Sequence, residues 1–221
     1  KGLSYGLLSA FTSETDSSTW HTYYDPDSIF SPYNYPKKYF ISRVKQDLFS
    51  GNSFLGLMTT SSVDDSAHII SVDGMVNLLD NQIGIDGQVV MSSDSKMGVL
   101  GNLTYSPLGF FSTWIDYQKY EPGFNLEHLG YLWRDNYSQL KTGIQFQNQE
   151  PWGVIRNSAI ILEWEFEENS DDLDLGKTIE LSYDVMFSNF WKIGGGYYKI
   201  QEHHDDRKIF SYYSMEAFGP I

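Results

Sequence analysis

Glu163, Glu165 and Glu167 alternate with apolar residues along one stretch, and Glu180 and Asp184 follow in the next. In an extended chain the three glutamates share one face at repeats of ~7 Å. If the next segment pairs alongside, it adds Glu180 and Asp184 to the same acidic surface. Carboxylates ~5–9.5 Å apart can serve a glycoside hydrolase as acid and base or nucleophile. They can equally hold cations, or form a water-filled acidic wall with no chemistry of its own. Trp20, Tyr23 and Tyr24 open an aromatic-rich stretch, 19–35, that also holds Phe30, Tyr33 and Tyr35. Such rings can stack on sugars or pack a long loop into the mouth of a barrel. The candidate ligand-binding residues are therefore Glu163, Glu165, Glu180, Asp184, Trp20, Tyr23 and Tyr24. No catalytic residue is assigned, because the chain has no G-x-S-x-G, H-E-x-x-H or P-loop pattern.

Two further stretches look like metal ligands at first sight. In Glu202-His203-His204-Asp205-Asp206 the adjacent histidines of a strand point to opposite faces, which makes them poor co-ligands. Asn169-Ser170-Asp171-Asp172-Leu173-Asp174 resembles part of a calcium loop but lacks the full spacing. It supports weak calcium binding at most. No metal site and no other cofactor is expected.

The elements that carry these residues are strands. Period-2 alternation runs through the chain, and helical periodicity is nearly absent. Ile160, Leu162, Trp164 and Phe166 oppose Ile161, Glu163, Glu165 and Glu167. Ile179, Leu181, Tyr183, Val185 and Phe187 oppose Thr178, Glu180, Ser182, Asp184 and Met186. The pattern predicts strands over 2–11, 38–48, 53–60, 67–79, 82–91, 97–105, 110–118, 127–134, 138–146, 157–167, 176–187, 190–200 and 207–217. Asp80-Asn81 and Ser188-Asn189 read as tight hairpins, and Phe49-Ser50-Gly51-Asn52 and Ser106-Pro107-Leu108-Gly109 as short turns. Links alternate long and short as far as about residue 137, as they do in transmembrane barrels. Two long links then follow each other, at 147–156 and 168–175.

The net charge of −14 disfavours a phosphate-backbone partner, so nucleic acid is excluded. The absence of cysteine removes disulfides and thiolate metal sites. No stretch approaches the ~20 apolar residues of a transmembrane helix, so any membrane crossing is made by strands. Lys1-Gly2-Leu3-Ser4-Tyr5-Gly6 does not read as a signal peptide, and a mature or excised piece is expected. No linker divides the chain, so residues 1–221 are read as one β-barrel domain or fragment.

Alternation alone does not say which face is inside. Three features favour a membrane barrel. The polar faces are rich in uncharged residues and glycines such as Gly84, Gly143 and Gly194. Aromatics make up 16% of the chain and gather near strand ends, as interfacial girdles do. The strands are long, with short links at one end. Arg43 and Lys45 share a strand face, Arg134 and Arg156 sit near strand ends, and all four are expected to pair with acids of the polar wall.

Several stretches resemble the barrel part of a bacterial family. Its members join an N-terminal module, similar to family-9 carbohydrate-binding domains, to a C-terminal outer-membrane β-barrel of unassigned function. Gly2-Leu3-Ser4-Tyr5-Gly6-Leu7-Leu8-Ser9-Ala10-Phe11-Thr12 resembles its opening strand. Tyr39-Phe40-Ile41-Ser42-Arg43-Val44-Lys45-Gln46-Asp47-Leu48 is similar to a strand carrying R-V-K-x-D-L, and Val72-Asp73-Gly74 fits the next. Phe124-Asn125 through Leu129-Gly130-Tyr131 to Arg134-Asp135 resembles a segment running from phenylalanine to Arg-Asp. Asp205-Asp206-Arg207 and Gly219-Pro220 resemble its D-D-R and G-G-P stretch, with Phe218 in place of the first glycine.

The resemblance implies an all-β, antiparallel up-and-down meander, a transmembrane β-barrel that is a segment of a larger one. It implies a bacterial outer-membrane location and the lipid bilayer as partner, with other outer-membrane or periplasmic subunits as further candidates. It also implies a channel, transport or scaffold role linked to carbohydrate handling, and no enzyme. The alternatives are a soluble β-barrel or sandwich that binds a ligand, and a carboxylate-dependent glycoside hydrolase. The thirteen segments make an odd count, which by itself does not close an antiparallel barrel.

Overall fold

The computed structural model describes residues 2–11, 20–21, 29–30, 38–63, 67–126, 129, 132, 134–171, 173–204 and 206–218. Side chains are described for those residues up to 201, except at 20–21, 29–30 and 108. The strands are β1 (Leu3–Phe11), β2 (Trp20–His21), β3 (Ile29–Phe30), β4 (Lys38–Leu48), β5 (Ser53–Ser62), β6 (Ala67–Leu78) and β7 (Ile83–Ser92). They continue with β8 (Met97–Leu108), β9 (Phe111–Tyr120), β10 (Tyr137–Asn148), β11 (Ile155–Glu168), β12 (Asp174–Phe187), β13 (Lys192–His204) and β14 (Asp206–Phe218). Twelve of them form one open antiparallel meander, in the order β1-β4-β5-β6-β7-β8-β9-β10-β11-β12-β13-β14. β2 and β3 pair only with each other.

The expected all-β meander is therefore observed, with one correction. Of the expected strand 127–134 only residues 129, 132 and 134 are described, and none of them is in a strand. β9 pairs directly with β10 from Phe111↔Phe146 to Tyr137↔Tyr120. Those described residues belong instead to one long link between β9 and β10, 121–136. Phe124 of that link is buried and stacks on Tyr120 at 5.5 Å.

Without that strand the links fall alternately at two ends of the sheet. The links at one end, 49–52, 79–82, 109–110, 149–154 and 188–191, are two to six residues long. The other end holds 12–37, 63–66, 93–96, 121–136, 169–173 and 205, and with them both long segments. The turn chemistry at the short end is unusual. Phe49, Leu79 and Phe190 take φ of 45°, 51° and 66°. A left-handed φ costs an L-residue about 1–2 kcal/mol, and glycine is the usual occupant.

The register puts directly opposed residues on one face. One face carries Phe40 and Val44 on β4, Leu55 and Leu57 on β5, Ile70 and Val72 on β6, and Ile85 and Val89 on β7. It continues through Leu103, Ile115, Leu140, Ile160 and Phe166 to Ile179, Leu181 and Tyr183, and every one of these side chains is exposed. Between the margins of β4 to β12, that face bears no Asp, Glu, Lys or Arg. Charge returns at the edges, as at Lys119 and Lys177. Among the described residues only Ala67, Phe124, Tyr137 and Leu175 are buried apolar side chains. The accessible surface is 15470 Å², against roughly 10,000 Å² for a compact monomer of this mass. Among the described residues the sheet is a single layer, and none of them packs against its apolar face.

Candidate functional site

The opposite face is polar and built by cross-strand pairs. Glu163 lies directly across from Glu180, and Glu165 is flanked by Lys141 and Thr178. Asp184 stands four residues along β12 from Glu180, on the same face. The structure thus brings Glu163, Glu165, Glu180 and Asp184 onto one wall, as their alternation predicts. Trp20 falls in β2, whose side chains lie outside the described residues, as do Tyr23 and Tyr24. The side chains of 202–206 and residue 172 also lie outside them. Asn169 organises its own link: its Oδ1 accepts from the backbone N–H groups of Asp171 and Leu173, each at 2.9 Å. Among the described residues, no group of three His, Asp or Glu side chains is placed to hold a metal ion.

The acids of the wall are held by donors on the next strand. Lys141 Nζ lies 2.8 Å from Glu163 Oε1. Gln139 donates through Nε2 to Glu165 Oε1 at 2.6 Å, and its Oε1 accepts from Gln118 Nε2 at 2.5 Å. Tyr137 donates to Glu167 Oε1, and Asn102 to Asp116 Oδ1, each at 2.5 Å. Lys192 stands 3.9 Å from Asp184. These bonds link β8 to β9, β9 to β10, and β10 to β11. Charge-assisted hydrogen bonds of this kind are the stronger class, and here each spans two strands and stiffens the wall.

Sequence reading expects Arg43 to meet an acid but does not name it. The partner is Asp73, two strands away on β6, at 2.5 Å. Gly56 makes this reach possible. It lies opposite both Lys45 and Asp73, and a Cβ there would stand 2.7 Å from Asp73 Oδ1. Lys45 instead pairs with Asp47 at 3.4 Å and lies over the Phe54 ring at 4.4 Å. Arg156 sits over Phe190 at 4.7 Å rather than on an acid. The signal for Arg43–Asp73 is the small residue between them, legible only once β4, β5 and β6 are placed in register.

Chemically, the wall offers fixed carboxylates in a hydrogen-bonded lattice. Glu163, Glu165 and Glu167 each have a donor partner, so they serve first as structure. Lys141 is a partly exposed cation among several acids, at 35% side-chain exposure against 20% for Glu163. Lys141→Met is expected to cost about 1 kcal/mol, the upper range for a solvent-reached pair. Glu163→Gln added to Lys141→Met should recover part of it, since the amide leaves no unpaired charge. Guanidinium unfolding of the three proteins measures both steps.

Comparison with known proteins returns no match: no family model, no curated protein and no solved structure is significantly similar to the chain.

Proposed function

We propose that this chain is wall of a bacterial outer-membrane β-barrel, with its apolar face toward lipid and its acidic face toward a water-filled lumen. The observation that carries the reading is the inverted burial. Uncharged apolar side chains stand exposed across the outer face from β4 to β12, while the charged residues of those strands gather on the other face and bond one another. In water such a surface is far beyond the few hundred Å² of contiguous apolar patch that monomers tolerate. In a bilayer it is what a spanning strand presents.

Strand length fits as well. From Ile70 to Leu78 on β6 the apolar face runs nine residues, about 27 Å along the strand at ~3.4 Å per step. Tilted by ~40° this rises about 21 Å, most of an apolar band about 25 Å tall. The resemblance to outer-membrane barrels joined to carbohydrate-binding modules points to a channel, transport or scaffold role in carbohydrate handling, with periplasmic or outer-membrane subunits as further partners.

The test is folding in the presence and absence of lipid. The chain diluted from urea into phosphatidylcholine vesicles should gain β-sheet ellipticity, resist protease and migrate as a compact species on unheated gels. In plain buffer it should aggregate. A monodisperse, folded, protease-resistant protein in plain buffer would overturn the reading.

A further inference from the structure

The five short links share a property that the lumen and the belt do not explain. Each presents a large, exposed apolar side chain at its tip: Phe49, Leu79, Phe110, Trp152 and Phe190, the last followed by Trp191. Trp152 is 75% exposed and Phe49 69%. A link that merely turns a strand in water has no use for these residues. Phe49, Leu79 and Phe190 moreover occupy left-handed positions where glycine is the unstrained choice. Their side chains are kept despite the backbone conformation.

The two ends of the sheet also differ in charge. The links of the long end contain thirteen acids and three bases. Those of the short end contain two acids, Asp80 and Glu150, and no base. One end is built to stand in water, and the other carries little that must be hydrated. The tips also run on into the belt. Phe110 lines a hollow of about 460 Å³ with Phe146, Ile160 and Tyr183 of the outer face. Trp191 lines another, of about 510 Å³, with Ile193. Each hollow joins a turn to residues of the apolar surface.

We infer that the short-link end does not project into the aqueous compartment but lies within the headgroup and upper acyl region of the bilayer. The tips anchor that end in lipid, while the acidic long-link end stands clear of it. Trp favours this zone because it accepts an apolar ring and still hydrates an indole N–H, and Phe and Leu bury their apolar side chains at the boundary with the acyl chains. Arg156, over the Phe190 ring, is then placed at the level of lipid phosphates, with its aliphatic stem along apolar surface. The partner is the lipid surface itself, and this inference rests on the membrane reading above.

The chain has no cysteine, so single cysteines carry a nitroxide label site-specifically. Phe110→Cys and Trp152→Cys report the tips, Leu181→Cys the belt, and Asp171→Cys the acidic end. Each is refolded into phosphatidylcholine vesicles, and its relaxation is measured with oxygen, which concentrates in lipid, and with a water-soluble nickel chelate. The tip labels should collide several-fold more with oxygen than with nickel, approaching Leu181→Cys, while Asp171→Cys shows the reverse ratio. Tip labels with the ratio of Asp171→Cys, beside a lipid-like Leu181→Cys, would overturn the inference and leave the membrane reading standing. A water-like ratio at Leu181→Cys as well removes the membrane reading and the inference with it. Two tip positions guard against one variant failing to fold.

Discussion

With the apolar face toward lipid as proposed, Leu181→Arg should destabilise the protein by about 2–4 kcal/mol, the cost of a guanidinium near the bilayer midplane on the outside of a strand barrel. Leu181 lies in the middle of β12, opposite Leu162 on β11 and Tyr197 on β13, and it is exposed. With no acid on that face within the belt, a new cation finds no partner. Its escape is to snorkel, which fails at the middle of a strand and succeeds near an end. The cost should therefore follow position. It peaks at Leu181 and falls toward the margin, where the native Lys177 already sits on the same face beside Asp174. The neighbouring Ser182→Arg points to the acidic wall and should cost less than about 1 kcal/mol. Chemical unfolding from vesicles measures this profile, and thinner bilayers should flatten it. A larger penalty at Ser182 than at Leu181 would mean that the polar wall is the packed interior and the assignment of faces is reversed.

The assignment of faces is the part of the fold that alternation leaves open. Ile160, Leu162, Trp164 and Phe166 on one side, and Glu163, Glu165 and Glu167 on the other, are legible as two faces because a strand has period two. Nothing in that period says which face meets solvent, since a sandwich and a membrane barrel use the same pattern with opposite meaning. The odd strand count has a different cause. Residues 127–134 alternate locally, yet β9 and β10 already satisfy each other's backbone along their full lengths. A segment between them has no ladder to join there, and in the same link Phe124 stacks on Tyr120 instead of pairing in the sheet. Local pattern describes a segment's preference, and pairing is a contest among segments.

The polar wall was partly legible for a related reason. The acids were visible as a row, because a row lies within one strand. Their partners were not, because Gln118, Gln139 and Lys141 reach them only through the register of β9, β10 and β11. Register also decides which glycines matter. Gly56 is one of several glycines in the sequence, and its role appears only when Arg43 reaches past it to Asp73.

Gly143→Ala should destabilise the protein by about 1–3 kcal/mol, the range for forcing a methyl into occupied space. Gly143 is on the polar wall, directly opposite Trp114 on β9 and Glu163 on β11. The indole lies across the gap that the missing side chain leaves. A Cβ on Gly143 would stand 2.1 Å from Trp114 Cζ2 and 2.4 Å from Cε2, well inside contact distance. The backbone is not the obstacle, since Gly143 has no positive φ and alanine fits a strand. The whole cost comes from displacing the ring, which separates this glycine from those kept for a turn. Trp114→Phe should cost less alone, and in Trp114→Phe the further change Gly143→Ala should cost only a few tenths of a kcal/mol. Residues in contact couple in this way, and a double-mutant cycle reads the coupling directly. The aromatic seated over a wall glycine recurs at Gly98 with Tyr120 and at Gly196 with Tyr198. Additive penalties at the 143–114 pair would mean that the ring is free to leave its seat, and that the wall glycines serve strand curvature instead.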